Sequence, residues 1–268
     1  MPHLPDLLSP VVSAAASVLA ATHTLAGVVG LAPGSPGAWL LAIALLVVVV
    51  RVAMLPFVVH GVRSAHARAR ATPQLRALQQ RYAGKRDLES LQRMRLAQKQ
   101  IHAEHGVSSW SVAPMLLQLP IVYALYRVVS DLAAGQGVGA LDAGLVASAG
   151  AASVVGLHLT SRVAPTFAAH PTGGLVLVAL ALVAAALLFA TQRLFVLPMA
   201  DLTGQPDTMV SVQRAMPWLS AGGVLVGAAF VPAGLLVYWV LTNAWTFAQQ
   251  AVIWRFAPTP GSPAALRR

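Results

Sequence analysis

Residues 38–59 read AWLLAIALLVVVVRVAMLPFVV, 22 residues whose one charge is Arg51. A helix of that length rises about 33 Å, enough to cross the hydrocarbon core of a bilayer. Arg51 lies about 12 Å inside the far end of that span. On insertion scales an arginine at mid-membrane costs about 2.5–3.5 kcal/mol, and simulations of isolated helices put it higher. The fold must therefore either let Arg51 snorkel to the nearer headgroups or turn it into a water-filled cavity inside a helix bundle.

The rest of the chain points to the bundle. Of 268 residues, 57% are hydrophobic and 10% charged, against about 25% charged in a soluble domain. Mean hydropathy is +0.70. This is the composition of an all-α, polytopic membrane protein. The net charge of +10 is read by position, because basic residues beside spans set orientation. The absence of cysteine excludes disulfides, thiol catalysis and cysteine metal sites.

Residues 1–37 form an N-terminal extracytoplasmic or interfacial segment. Its start carries Asp6 and no Lys or Arg, unlike a secretory signal. Residues 11–31 read as an interfacial helix leading into the first span, with a sixth span as the alternative. After the span at 38–59, residues 60–109 hold ten of the 18 Lys and Arg. Two helical stretches there, 65–82 and 88–105, are broken by Gly84 and capped by Asp87, the pattern of an antiparallel helical hairpin in water. Further spans are expected at 110–132, 172–191, 213–230 and 235–253. Residues 133–171 are expected as an extracytoplasmic loop, 192–212 as a cytoplasmic loop and 254–268 as a cytoplasmic tail. Five spans with the hairpin inside put the N-terminus outside and the C-terminus in the cytoplasm. Fifteen of the 18 basic residues then lie inside; the exceptions are Arg51, Arg127 and Arg162.

Several motifs follow in order: Arg51 before LPF, TPQLRALQQRYAGKRD (72–87), AEHGV (103–107), APMLLQLPIVYALYRVV (113–129), MPWL (216–219) and VPAGLLVYWVLTNAWTFAQQ (231–250). Together, over about residues 38–255, they resemble the YidC/Oxa/Alb family of membrane protein insertases, in the short form found in bacteria with a single membrane. The resemblance implies five transmembrane helices around a hydrophilic groove, open to the cytoplasm and laterally to lipid. It implies insertion and chaperoning of nascent membrane proteins at the cell membrane without a nucleotide, alone or beside the Sec translocon. The family's span 1 arginine corresponds to Arg51 and its span 2 glutamine to Gln118. Its span 5 signature corresponds to Tyr238, Trp239, Asn243 and Gln249. The sequence departs from the family at Gly106-Val107-Ser108-Ser109, where a proline usually follows the glycine.

On this reading Arg51 attracts hydrophilic or acidic client segments into a groove of low dielectric, where a charge acts strongly. The alternative is a structural arginine paired with an internal polar group. Gln118, Asn243 and Gln249 either keep the groove wet or hydrogen-bond neighbouring helices. Tyr238 and Trp239 are expected to close the groove's outer end, while Trp218 and Trp254 read as interface anchors. Arg63, Arg68, Arg70, Arg76, Arg81, Lys85 and Arg86 of the hairpin are candidates to contact ribosome, targeting factor, client or anionic lipid. Tyr82 is the hairpin's one aromatic, too few for single-strand nucleic-acid binding. His102 and His105 do not make a zinc motif, and there is no Walker A loop. No cofactor, metal or catalytic residue is expected. A small-solute transporter or channel is the competing class, but it calls for internal repeats that the sequence lacks.

Overall fold

A computed structural model describes residues 8–85, 87–107, 113–133, 135–154, 157–202 and 205–267. Helix α1 (Ser9–Val28) and helix α2 (Pro36–Ala53) are joined by a short turn. Ser35 caps α2 by accepting from the Ala38 N–H, and Pro36 occupies the first turn, where no donor is needed. The two helices run antiparallel over their whole lengths. The Thr22 hydroxyl donates to the Ala42 carbonyl at 3.1 Å, the His23 and Trp39 rings lie 4.4 Å apart, and Val11 faces a cleft that reaches Ala53. Trp39 is 1% exposed, and its indole N–H donates to Ser148 at 3.2 Å.

Met54 interrupts the helix before α3 (Leu55–Arg81). Pro56 explains the break: it has no N–H for the carbonyl four residues back, and its ring crowds that carbonyl. The inner end of the predicted first span and the first helix of the basic segment are therefore one nearly continuous rod. Gly84, at φ +84°, turns the chain. Helix α4 (Leu88–Glu104) then starts at Asp87, whose carboxylate accepts from the Ser90 N–H at 2.7 Å. The last turns meet again, with His105 3.2 Å from the Gln74 side chain.

Helix α5 (Ala113–Ala133) falls within the span expected at 110–132, whose first residues lie outside the described ones. The described residues between α5 and α8, a stretch expected as an extracytoplasmic loop, hold short elements that pack on the bundle. Asp142 caps α6 (Ala143–Ala151), followed by the short antiparallel pair β1 (Ser153–Val154) and β2 (Leu157–His158) and by α7 (Val163–Ala169). Their apolar side chains, among them Leu141, Val146 and Leu157, join the same buried cluster as Leu19, Trp39, Val128, Leu177 and Leu236. Runs of alanine and glycine carry too little hydrophobicity to announce such elements from sequence, yet they let the short helices lie close to the bundle. At Gly174 a Cβ would stand 2.3 Å from the Phe167 ring.

Helix α8 (Pro171–Thr191) continues through a π turn (Gln192–Val196) into α9 (Leu197–Met199), eight residues beyond the span expected to end at 191. The π turn widens the helix just before Pro198, whose ring would otherwise press on the preceding turn. Helix α10 (Asp207–Ala228), helix α11 (Ala233–Phe256) and a terminal turn, α12 (Pro263–Leu266), complete the chain. Helix α1 packs on α2 and α5, α2 on α11, α11 on α8, and α8 on α10. Among the described residues three helical runs, Ser9–Val28, Pro36–Ala53 and Pro171–Met199, are long and apolar enough to cross a membrane. The site is built where the second of them meets α11.

Candidate functional site

Arg51 stands in the last turn of α2 and points at α11. Its guanidinium donates to the Thr242 hydroxyl at 2.7 Å and reaches the Thr242 carbonyl at 3.5 Å. Tyr238, one turn earlier on α11, is 5% exposed. The half-buried arginine is thus tied to a hydroxyl and a carbonyl rather than to a carboxylate, and keeps its positive charge uncompensated by any described acid.

One turn beyond this pair a cleft of about 670 Å³ opens between the start of α3 and the second half of α11. Its α3 wall is Leu55, Val58, Val59 and Val62, ending in Arg63 and His66; its α11 wall is Trp245, Gln249, Val252 and Phe256. Trp245 donates its indole N–H to the Gln249 side-chain oxygen at 3.1 Å, so the two polar groups satisfy each other. The sequence implied a hydrophilic groove. The walls of this cleft are aliphatic and aromatic, with Arg63 and His66 at the hairpin end and Arg51 one turn beyond the other end.

Two more clefts adjoin it. One of about 390 Å³ lies across α3, between Phe57, Gly61, Met199 and Gln250. Another, of about 410 Å³, lies between the π turn, α10 and α11, and holds Gln192, Gln213 and Gln250. Gln249 faces the first two and Gln250 the last two, so the clefts form a belt around the C-terminal half of α11. All the buried residues of α11 lie between Ala233 and Tyr238, at its other end.

Tyr238 and Gln249 therefore share the face of α11 on which Arg51 meets Thr242. Trp239 does not: its ring lies against Gly227 of α10, where a Cβ would stand 3.1 Å from it. Adjacent positions on a helix point about 100° apart, so Tyr238 and Trp239 cannot both look at Arg51. Asn243 and Gln118 are half-buried without a hydrogen-bond partner among the described residues. Sequence reasoning missed Thr242 as the partner of Arg51, and it missed the bond by which Trp245, itself a candidate for groove lining, holds Gln249. The signal was available, because 238, 242, 245 and 249 recur at helical spacing on one face.

In the basic segment, Arg76 pairs with Asp201 at 2.8 Å, and His66 donates to the Ala257 carbonyl at 3.1 Å. The rod α3 is thus tied both to the chain after α9 and to the tail. Lys85 sits over the Tyr82 ring at 5.1 Å. Arg63, Arg70 and Arg81 are exposed and have no ion pair among the described residues, whereas Arg68 is engaged; Arg86 lies outside the described residues. The Asp87 carboxyl is held below its ordinary value by the backbone N–H of Ser90. Among the described residues no three His, Asp or Glu side chains come together in a way that would hold a metal.

Residues 31–259 match the family described as 60Kd inner membrane protein. A membrane protein insertase YidC of Streptomyces avermitilis is 31% identical over 235 residues, 85% of this chain and 54% of that protein. The chain thus spans about half the length of that relative. A membrane protein insertase YidC of Tropheryma whipplei (strain Twist) is 30% identical over 276 residues, 99% of this chain and 89% of its own length. That of Bifidobacterium longum is 25% identical over 97% of this chain and 78% of its own. The family match begins in the turn before α2 and ends just past α11, taking in Arg51, Thr242 and the whole belt of clefts, and the chain belongs to the 60Kd inner membrane protein family.

Proposed function

We infer that the protein is a membrane protein insertase. The observation that carries this reading is the family match over residues 31–259, shared with relatives named as insertases. The geometry supports a mechanism for it. Arg51 holds a positive charge one turn from a cleft whose far end carries Arg63 and His66 of the basic segment. A client's hydrophilic or acidic segment is drawn to that charge, which acts strongly in surroundings of low dielectric. This shortens the distance that the segment must cross in hydrocarbon. The client's apolar helix lies along the aliphatic walls and leaves into lipid, driven by burial of roughly 25 cal/mol per Å². The final state is favourable without nucleotide.

In the orientation proposed here, α3 and α4 form the cytoplasmic hairpin, and α2, α5, α8, α10 and α11 are the five spans. The packing of α1 along the whole of α2 favours the spanning alternative for residues 11–31, which would bring the N-terminus to the hairpin's side. The exposed Arg63, Arg70 and Arg81 are suited to an anionic partner. We assign Arg70 and Arg81 to the ribosome, with the Sec translocon as a cooperating complex.

The test is insertion of a small client with an acidic translocated tail into vesicles carrying the purified protein, without nucleotide, scored by protease protection. Wild type inserts the client, Arg51→Ala loses most of the activity and Arg51→Lys recovers it. Insertion indifferent to both changes would reduce Arg51 to a structural role. A folded wild type that inserts nothing would overturn stand-alone activity.

A further inference from the structure

We propose that the cleft between α3 and α11 is a binding site for an anionic phospholipid, with one acyl chain lying between the helices and the headgroup held by Arg63. The first support is the chemistry of the walls. Leu55, Val59, Val252 and Phe256 line the cleft and are all substantially exposed to it, Phe256 at 77%. Of the polar atoms of the α11 wall, the Trp245 indole N–H and the Gln249 oxygen are paired with each other. Such a space offers water few partners, and apolar cavities stay dry.

The second support is length. The cleft runs from Leu55 to His66, about 17 Å of helix. One leaflet's share of a 30 Å hydrocarbon core is about 15 Å. An acyl chain entering at the Arg63 end thus reaches the turn below Arg51.

The third is charge. Arg63 lies about 18 Å along the helix from Arg51, at headgroup depth when α2 spans. It is exposed and has no ion pair among the described residues, and no acidic residue lines the cleft. His66 is turned to the Ala257 carbonyl and Arg255 lies over the Phe256 ring at 5.7 Å, so Arg63 is the one arginine in the cleft lining itself. Basic pockets between helices at the cytoplasmic face bind acidic headgroups in this manner. The protein's own tail is not the occupant. It leaves at Ala257 and packs elsewhere, with Ser262 and Ala264 buried beside α9.

The proposal rests on the insertase reading in one respect: a client using this cleft must displace the lipid. Binding itself does not depend on that reading.

The test uses the whole protein in vesicles containing phosphatidylglycerol or phosphatidylcholine with brominated acyl chains. The quenching due to Trp245 is obtained by subtracting the signal of Trp245→Phe. Half-maximal quenching is expected at about a five-fold lower mole fraction of phosphatidylglycerol, the factor that one basic residue confers. Arg63→Gln removes the preference and Arg63→Lys keeps it. Equal quenching by the two lipids, a preference that survives Arg63→Gln, or no quenching of Trp245 by either lipid would overturn the site. Loss of client insertion with the lipid preference intact would count against the insertase reading and leave the lipid site standing.

Discussion

Arg51 and Thr242 lie 191 residues apart in the chain, and the guanidinium of one donates to the hydroxyl of the other at 2.7 Å. The contact fixes α2 to α11 where the packed N-terminal part of α11 gives way to its cleft-lined C-terminal half. It also holds a cation beside the cleft without neutralising it, since a hydroxyl orients an arginine but carries no charge.

Thr242→Val removes the hydroxyl at nearly constant volume. We expect a loss of about 1 kcal/mol, the net contribution of one such hydrogen bond. The double variant with Arg51→Ala should be scarcely less stable than Arg51→Ala alone. Thermal unfolding of the four proteins in detergent closes the cycle. Client insertion should fall less in Thr242→Val than in Arg51→Ala, because the charge is still present.

The Arg76–Asp201 pair is partly exposed, 36% and 27% at the two side chains. Such pairs contribute about 1 kcal/mol or less. Arg76→Ala should therefore leave global stability nearly unchanged and instead free α3 from the chain after α9. Spin labels on α3 and in that segment are expected to give a broader distance distribution in Arg76→Ala. The exchanged pair, Arg76→Asp with Asp201→Arg, should narrow it again.

Gly174 sits where α7 crosses α8, with room for no side chain: a Cβ there would lie 2.7 Å from the Phe167 Cα as well as 2.3 Å from its ring. Because part of the obstacle is backbone, trimming Phe167 cannot fully relieve it. Gly174→Ala should cost about 1–3 kcal/mol, the range for overpacking. A lowered unfolding temperature, only partly restored by adding Phe167→Ala, is the expected result.

Asp87 caps α4 through the Ser90 N–H, and that bond holds its carboxyl below the ordinary 3.8. A depressed carboxyl stabilises the folded cap in full above that value, and the contribution is lost as pH falls through the lowered pKa. At the mildly alkaline pH of a trypsin digest the cap is intact. Asp87→Ala should speed cleavage after Arg93 by fraying the first turn, while Asp87→Asn, also a good cap, should not.

How much of this could be read beforehand follows from how local each signal is. An arginine in an apolar run must find a partner, so Arg51 could be singled out, but its partner Thr242 is an ordinary residue in a helix of moderate polarity. Gln249 stood out as polar, whereas its bond to Trp245 depends on rotamers. Tyr238 and Trp239 were taken together as neighbours in the chain, and helical geometry sends them to different sides. The break at Pro56 was visible in the residues, while the π turn before Pro198 depends on how a long helix absorbs a proline. The short elements between α5 and α8 escaped because their alanines and glycines bury little area each and cohere only against the bundle.

The burial of α11 is lopsided: its packed residues end at Tyr238, and open clefts surround the remainder. Mechanically it is a post set firmly at one end. Bending or displacement at the free end would widen the clefts while the fixed end, clasped by the Ala233 and Gly234 amides donating to Ser161 and Leu159, stays shut. In the orientation proposed above, a client could be admitted and released without ever opening a path for ions. Protons held on one side of the membrane would not leak through a molecule whose moving parts are confined to the other.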